Sequence, residues 1–157
     1  MRWHYRDAAL VWLFPPAYLA HLAEETWGGP GFPAWFAYVV GRPLPMPAFI
    51  GINVIGLLLM VWSTVLAVRR EQHGWMAVAI ATVVTINGLL HLAASGVTRT
   101  YSPGLITGVV LYLPLGQLLL IRALHQLDRA RFTIGIATGV VVHTAVVLVA
   151  VALARIS

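Results

Sequence analysis

Apolar residues run along this chain in long blocks, separated by short clusters of arginine, histidine, glycine and proline. Four blocks, at about 47–68, 75–95, 104–124 and 132–154, are each long enough to cross a bilayer. Roughly 20 residues rising 1.5 Å apiece traverse a hydrocarbon core of about 30 Å. A further block, at about 8–25, is interrupted by Pro15-Pro16 and runs into His21, Glu24 and Glu25. It follows a basic start, yet no small-residue cleavage pattern comes after it. It therefore reads as a retained helix, kinked near the prolines, and not as a signal peptide. The pattern predicts an all-α integral membrane protein, one domain over 1–157, folded as a five-helix transmembrane bundle. Between the first two spans, residues 27–47 carry four glycines and five prolines around a short apolar stretch with Trp35, Phe36 and Tyr38. Too short to span and rich in headgroup-zone aromatics, this segment reads as an interfacial or re-entrant helix.

Composition agrees. Of 157 residues, 60% are hydrophobic and 10% charged, and the mean hydropathy is +0.86. A water-soluble fold of this size lacks the polar shell to cover so apolar a composition. Disorder is excluded by the scarcity of charge. Disulfide scaffolds, thiolate metal sites and cysteine nucleophiles are excluded by the absence of cysteine. The net charge of +5 comes from ten arginines, no lysine and five acids. Because the arginines sit between apolar runs, they point to topology and lipid headgroups as partners, not to nucleic acid. With five spans, Arg2, Arg6, Arg69, Arg70, Arg122, Arg129 and Arg131 share one side, against Arg42, Arg99 and Arg155 on the other. Seven against three predicts a cytoplasmic N-terminus and an outer C-terminus in the cell membrane.

In lipid, the informative residues are the polar ones. An ionisable group near the bilayer centre costs about 2.5–3.5 kcal/mol on insertion scales, so such groups face the bundle and serve a purpose. Helical spacing places His21, Glu24 and Glu25 on one face of the first span, in its outer half. Asn87, His91 and Ser95 repeat every four residues on the third span, and Gly135, Gly139 and His143 do so on the fifth. The two glycines would admit a close neighbour and bring the imidazole with it. Asn53 begins the second span at a similar depth, whereas the inner half is almost wholly apolar. One polar face per helix at a matching level predicts a single convergent site.

Imidazole nitrogens and carboxylate oxygens together suit a divalent zinc, iron or manganese ion. His21, Glu24, Glu25, His91 and His143 are the candidate ligands, with Asn87 beside them in a catalytic or orienting role. Asn53, Tyr101 and Thr107 are candidate substrate contacts. The expected function is a membrane-embedded, metal-dependent enzyme, hydrolytic or oxidative, acting on a small lipophilic substrate. One alternative is metal-free acid/base chemistry (isomerisation, cyclisation or epoxide opening), in which one of the paired glutamates keeps its proton and a histidine is the base. Another is a non-enzymatic lipid or small-molecule binder or transporter. Structural readings stand beside these: Asn53 and Gln117 as interhelical glue, Ser102 and Pro103 as a helix start, and His4, His73 and His125 as solvated groups at span ends.

His21-Leu-Ala-Glu24-Glu25 matches the motif that names the HXXEE family of small membrane proteins. Asn87-Gly-Leu-Leu-His91 and Tyr101-Ser-Pro-Gly104-Leu-Ile-Thr107 resemble the family's later motifs, in the same order, over about residues 17–114. The resemblance implies an integral membrane protein and no particular reaction. In plan alone the chain is also similar to sterol isomerases of the emopamil-binding type, with which it shares no motif.

Overall fold

The computed structural model describes residues 5–156, with side chains from residue 8 onward. Arg2, His4, the Arg6 side chain and Ser157 therefore lie outside the described residues. All regular structure among those residues is helical. The helices are α1 (Tyr5–Val11), α2 (Phe14–Trp27), α3 (Phe32–Trp35), α4 (Ala37–Val40), α5 (Met46–Arg69), α6 (Gly74–Thr98), α7 (Leu105–Thr107), α8 (Leu113–Gln126) and α9 (Arg129–Ile156). A 3₁₀ turn (Glu71–His73) leads into α6, and a π-helical turn (Gly108–Tyr112) joins α7 to α8.

Among the described residues, four helical stretches are long and apolar enough to cross a membrane: Met46–Arg69, Glu71–Thr98, Leu105–Gln126 and Arg129–Ile156. They correspond to the four long apolar blocks of the sequence. The block at 8–25 divides differently. Its helix breaks at Trp12-Leu13, before the prolines, and α2 alone, 14 residues long, rises only about 21 Å. Proline chemistry explains the position of the break. Pro15 and Pro16 have no N–H to return to the carbonyls of Val11 and Trp12, so α1 ends there and the prolines occupy the first turn of α2. Leu13 N–H instead reaches back to the Leu10 carbonyl at 3.1 Å.

Helix α6 is the hub. Half of its most apolar window is buried, against 17–22% in the other three, and α5, α8 and α9 pack around it. Small residues set how closely. A Cβ on Gly135 would stand 2.6 Å from the Trp75 carbonyl oxygen, and one on Gly139 would stand 2.8 Å from that of Ala79. The α6 and α9 backbones are therefore nearly in contact along this stripe. Gly88 meets Gly108 in the same way, where a Cβ would come 2.8 Å from the Gly108 oxygen. That second approach fixes the start of the Leu105–Gln126 stretch against α6, one turn below His91.

Two apolar clusters flank the polar layer. One gathers Val11, Phe14, Ala17, Met60, Ala77, Val84, Tyr112 and Leu119. The other joins Phe36, Leu44 and Phe49 to Ala150 and Ala154 of α9. Much of the remaining apolar surface is exposed, including Val54, Leu58 and Trp62 on α5 and Val141 and Leu148 on α9. Contiguous apolar surface of this extent suits lipid and not water.

The segment between α2 and α5 folds back on itself as two single-turn helices. Leu44 N–H donates to the Pro33 carbonyl at 2.9 Å, and Trp35 Nε1–H donates to Thr100 Oγ1 at 3.0 Å. This segment covers the ends of α2 and α6 where the motif residues lie.

Candidate functional site

His21 and Glu25 stand one turn apart on α2, and His91 faces them from α6. All three are at least 94% buried. His21 Nε2 lies 3.5 Å and His91 Nε2 3.3 Å from the same oxygen, Oε1 of Glu25. The two imidazoles meet edge to face with centroids 5.0 Å apart. Among the described residues these three form the group of metal-ligand type, with one ligand atom from each within 4.8 Å of the others.

The outer nitrogens of both rings are held by hydroxyls. His21 Nδ1 is 2.8 Å from Thr107 Oγ1, and His91 Nδ1 is 2.9 Å from Ser102 Oγ. Ser102 is itself fixed by its backbone N–H, which donates to Ser95 Oγ at 2.9 Å. Rings so anchored turn both Nε2 atoms to Glu25, and His21 Nε2 has no hydrogen-bond partner.

Glu24 points elsewhere. Its Oε1 accepts from Tyr101 Oη at 2.5 Å and Ile106 N–H at 2.9 Å. Its Oε2 accepts from Thr107 N–H at 2.7 Å and Thr107 Oγ1 at 2.5 Å. The carboxylate thus serves the free N–H groups at the start of the Leu105–Gln126 stretch and ties the 101–107 loop across the cluster. Tyr101 lies in that loop, outside the spans. Its phenol is pushed up to about 12 by burial first, then by its hydrogen bond to Glu24 and the Glu24 charge.

Two contacts close the cluster. Gly104, at φ +102°, passes so near that a Cβ there would lie 2.7 Å from His91 Cε1 and 2.8 Å from His21 Cε1. Phe32 leans on His91, with ring centroids 5.6 Å apart. On the inner side Tyr112, 2% exposed, stacks on His21 with centroids 4.3 Å apart. The Tyr112 hydroxyl is buried with no hydrogen-bond partner.

A family model described as a protein of unknown function with HXXEE motif matches residues 12–119, more than half of the chain. The chain belongs to the HXXEE family. No curated protein and no solved structure matches it.

The HXXEE motif therefore divides in its geometry. Its histidine and second glutamate meet His91, while its first glutamate holds the neighbouring loop. The other candidates are distributed around this centre. His143 is buried on α9 and within electrostatic range of His91, but outside the group of three. Asn87 Oδ1 is buried without a hydrogen-bond partner. Asn53 accepts from Tyr18 Oη at 2.8 Å and donates to the Phe49 carbonyl of its own helix at 2.9 Å, a tie between α2 and α5. Tyr101 and Thr107 bond Glu24, and Gln117 is exposed on the outside of the bundle.

Ser102, Gly104 and Tyr112 were not among the sequence's site candidates. The first two lie inside the motif around Tyr101, which was the signal to find them by. Tyr112 had none. In an α-helix Thr107 and Tyr112 would point about 140° apart, and only the wider π turn swings both toward His21.

Proposed function

We propose that this HXXEE protein is a membrane-embedded metalloenzyme whose divalent ion is held by His21, Glu25 and His91, acting on a small lipophilic substrate. The spacing at Glu25 carries this reading. Two ligand atoms each about 2.1 Å from one ion, at a tetrahedral angle, stand about 3.4 Å apart. Those at Glu25 Oε1 stand 3.3 and 3.5 Å apart. A direct N–H···O hydrogen bond would draw them to about 2.7–3.2 Å. The unpartnered His21 Nε2 and the hydroxyl-anchored Nδ1 atoms are the donor arrangement and supporting layer that such an ion requires.

Two histidines with one carboxylate suit zinc in hydrolytic chemistry or iron in oxidation, with manganese a third candidate. When bound, the ion supplies a Lewis acid or a redox centre. The chain supplies the rest. Thr107 and Ser102 orient the rings, Gly104 and Phe32 exclude water from one side, and the Tyr112 hydroxyl is free to donate a hydrogen bond to a substrate oxygen. The same proposal takes the block at about 8–25 as a first span, for five in all, with 27–47 at the outer interface and the N-terminus cytoplasmic. Glu24 and His143, plausible ligands by composition, are left outside the ion's immediate partners.

Elemental analysis of detergent-purified protein tests this directly. Close to one divalent ion per chain is expected, lost in His21→Ala, His91→Ala and Glu25→Gln and kept in His143→Ala. Wild-type protein that takes up no zinc, iron or manganese under replete conditions would end the metal reading. A second reading then gains ground from the same carboxylate. One buried oxygen shared by two imidazoles can hold a proton between acid and base, and turnover by metal-stripped protein would support it.

A further inference from the structure

The hydrogen bonds around Glu24 dictate which nitrogen of His21 carries its proton. Each Glu24 oxygen accepts one backbone N–H, from Ile106 at 2.9 Å and from Thr107 at 2.7 Å. Backbone donors cannot reverse their role, so both oxygens are held as acceptors. The single hydroxyl proton of Thr107 goes to Oε2, at 2.5 Å. With that proton committed, Thr107 Oγ1 can only accept from His21 Nδ1, 2.8 Å away. Nδ1 therefore bears a proton, and in the neutral ring Nε2 is left with a lone pair. That lone pair looks at Glu25 Oε1 across 3.5 Å and has no donor of its own.

We propose that Glu24 is a positioning residue which, acting through Thr107, locks His21 in the Nδ1–H tautomer and keeps its Nε2 lone pair turned to Glu25. The two glutamates of the motif thus have different tasks: the second faces the two imidazoles, and the first sets the protonation pattern of one of them at a distance. This deepens the metal-centre reading, since a ligand histidine needs that lone pair free, but the tautomer itself rests on the hydrogen bonds alone. His91 differs, because the hydroxyl at its Nδ1 belongs to Ser102, which is tied to Ser95 and not to Glu24.

The test uses full-length protein labelled with ¹⁵N-histidine, purified in detergent and stripped of metal with a chelator. His21→Gln assigns the His21 imidazole signals. A protonated Nδ1 and an unprotonated Nε2 are expected for His21, and added Zn²⁺ should move the Nε2 resonance. Thr107→Val should release the ring into a mixture of tautomers and weaken zinc binding about 10–100-fold, and Thr107→Ser should restore both. A Thr107 that merely supported packing would leave the tautomer ratio of Thr107→Val unchanged, and that result would overturn the proposal. So would a His21 protonated at Nε2 in the wild-type chain, a measurement that needs no variant to fold. The expected tautomer without any zinc binding would uphold the role of Glu24 and refute the metal centre.

Discussion

At the scale of single residues, adjacent side chains on a helix diverge by about 100°, and that angle separates Glu24 from Glu25. From His21, the residue three positions on turns toward the 101–107 loop and the residue four on turns toward α6. Spacing and depth alone made His21, Glu25 and His91 legible, because their helical faces and levels coincide. The separate task of Glu24 was hidden, since its partners are backbone N–H groups that no side-chain pattern announces. Gly104 gives a sharp test. Alanine there would have to adopt φ +102°, a strain of about 1–2 kcal/mol, and push its methyl between both imidazoles. Gly104→Ala should lose metal occupancy by elemental analysis and show a lower thermal unfolding midpoint. Tyr101 gives another. Its phenol is raised from 10.0 to about 12, so the contact with Glu24 favours the protonated form. The stabilisation should be complete below pH 10.0 and lost as the pH climbs to about 12. The difference in thermal midpoint between wild type and Tyr101→Phe, measured across that range, checks it, and ultraviolet titration should show one late-ionising phenol absent from the variant.

At the scale of elements, the four long apolar blocks announced their helices because length and hydropathy act together over some twenty residues. The break at Trp12-Leu13, where two carbonyls lose their donors, is the interruption expected near Pro15-Pro16. One feature escaped that average. The π turn at Gly108–Tyr112 is a matter of one extra residue within a continuous apolar run, which periodicity cannot register. Its effect is testable because Val110 lies within it and is exposed. Deleting Val110 should restore plain α-helix and rotate α8 by about 100° relative to α7. Thr107 and Tyr112 could then no longer both reach His21, and zinc affinity should fall at least tenfold by titration, in the range of other supporting-layer losses. Val110→Ala, which keeps the residue count, should bind as wild type does.

At the scale of the whole molecule, the site draws one residue pair from α2, one histidine from the hub helix, and its cover from the 101–107 loop. The proposed orientation of this arrangement rests on the arginine asymmetry. A reporter fused after Ser157 should be accessible from outside intact cells, whereas one at the N-terminus should be protected, and the reverse labelling would invert the topology. The distribution of the site along the chain also bears on how the protein is made. His21 leaves the ribosome well before His91, and the hydroxyl that anchors its ring comes later still, with Tyr112 last. The cluster and its anchoring side chains are thus complete only once the start of the Leu105–Gln126 stretch has emerged, and a ligand that binds only the finished arrangement stabilises it by mass action. If the proposed ion is that ligand, its supply during biosynthesis should govern how much protein accumulates, with starved cells clearing chains whose cluster never closed.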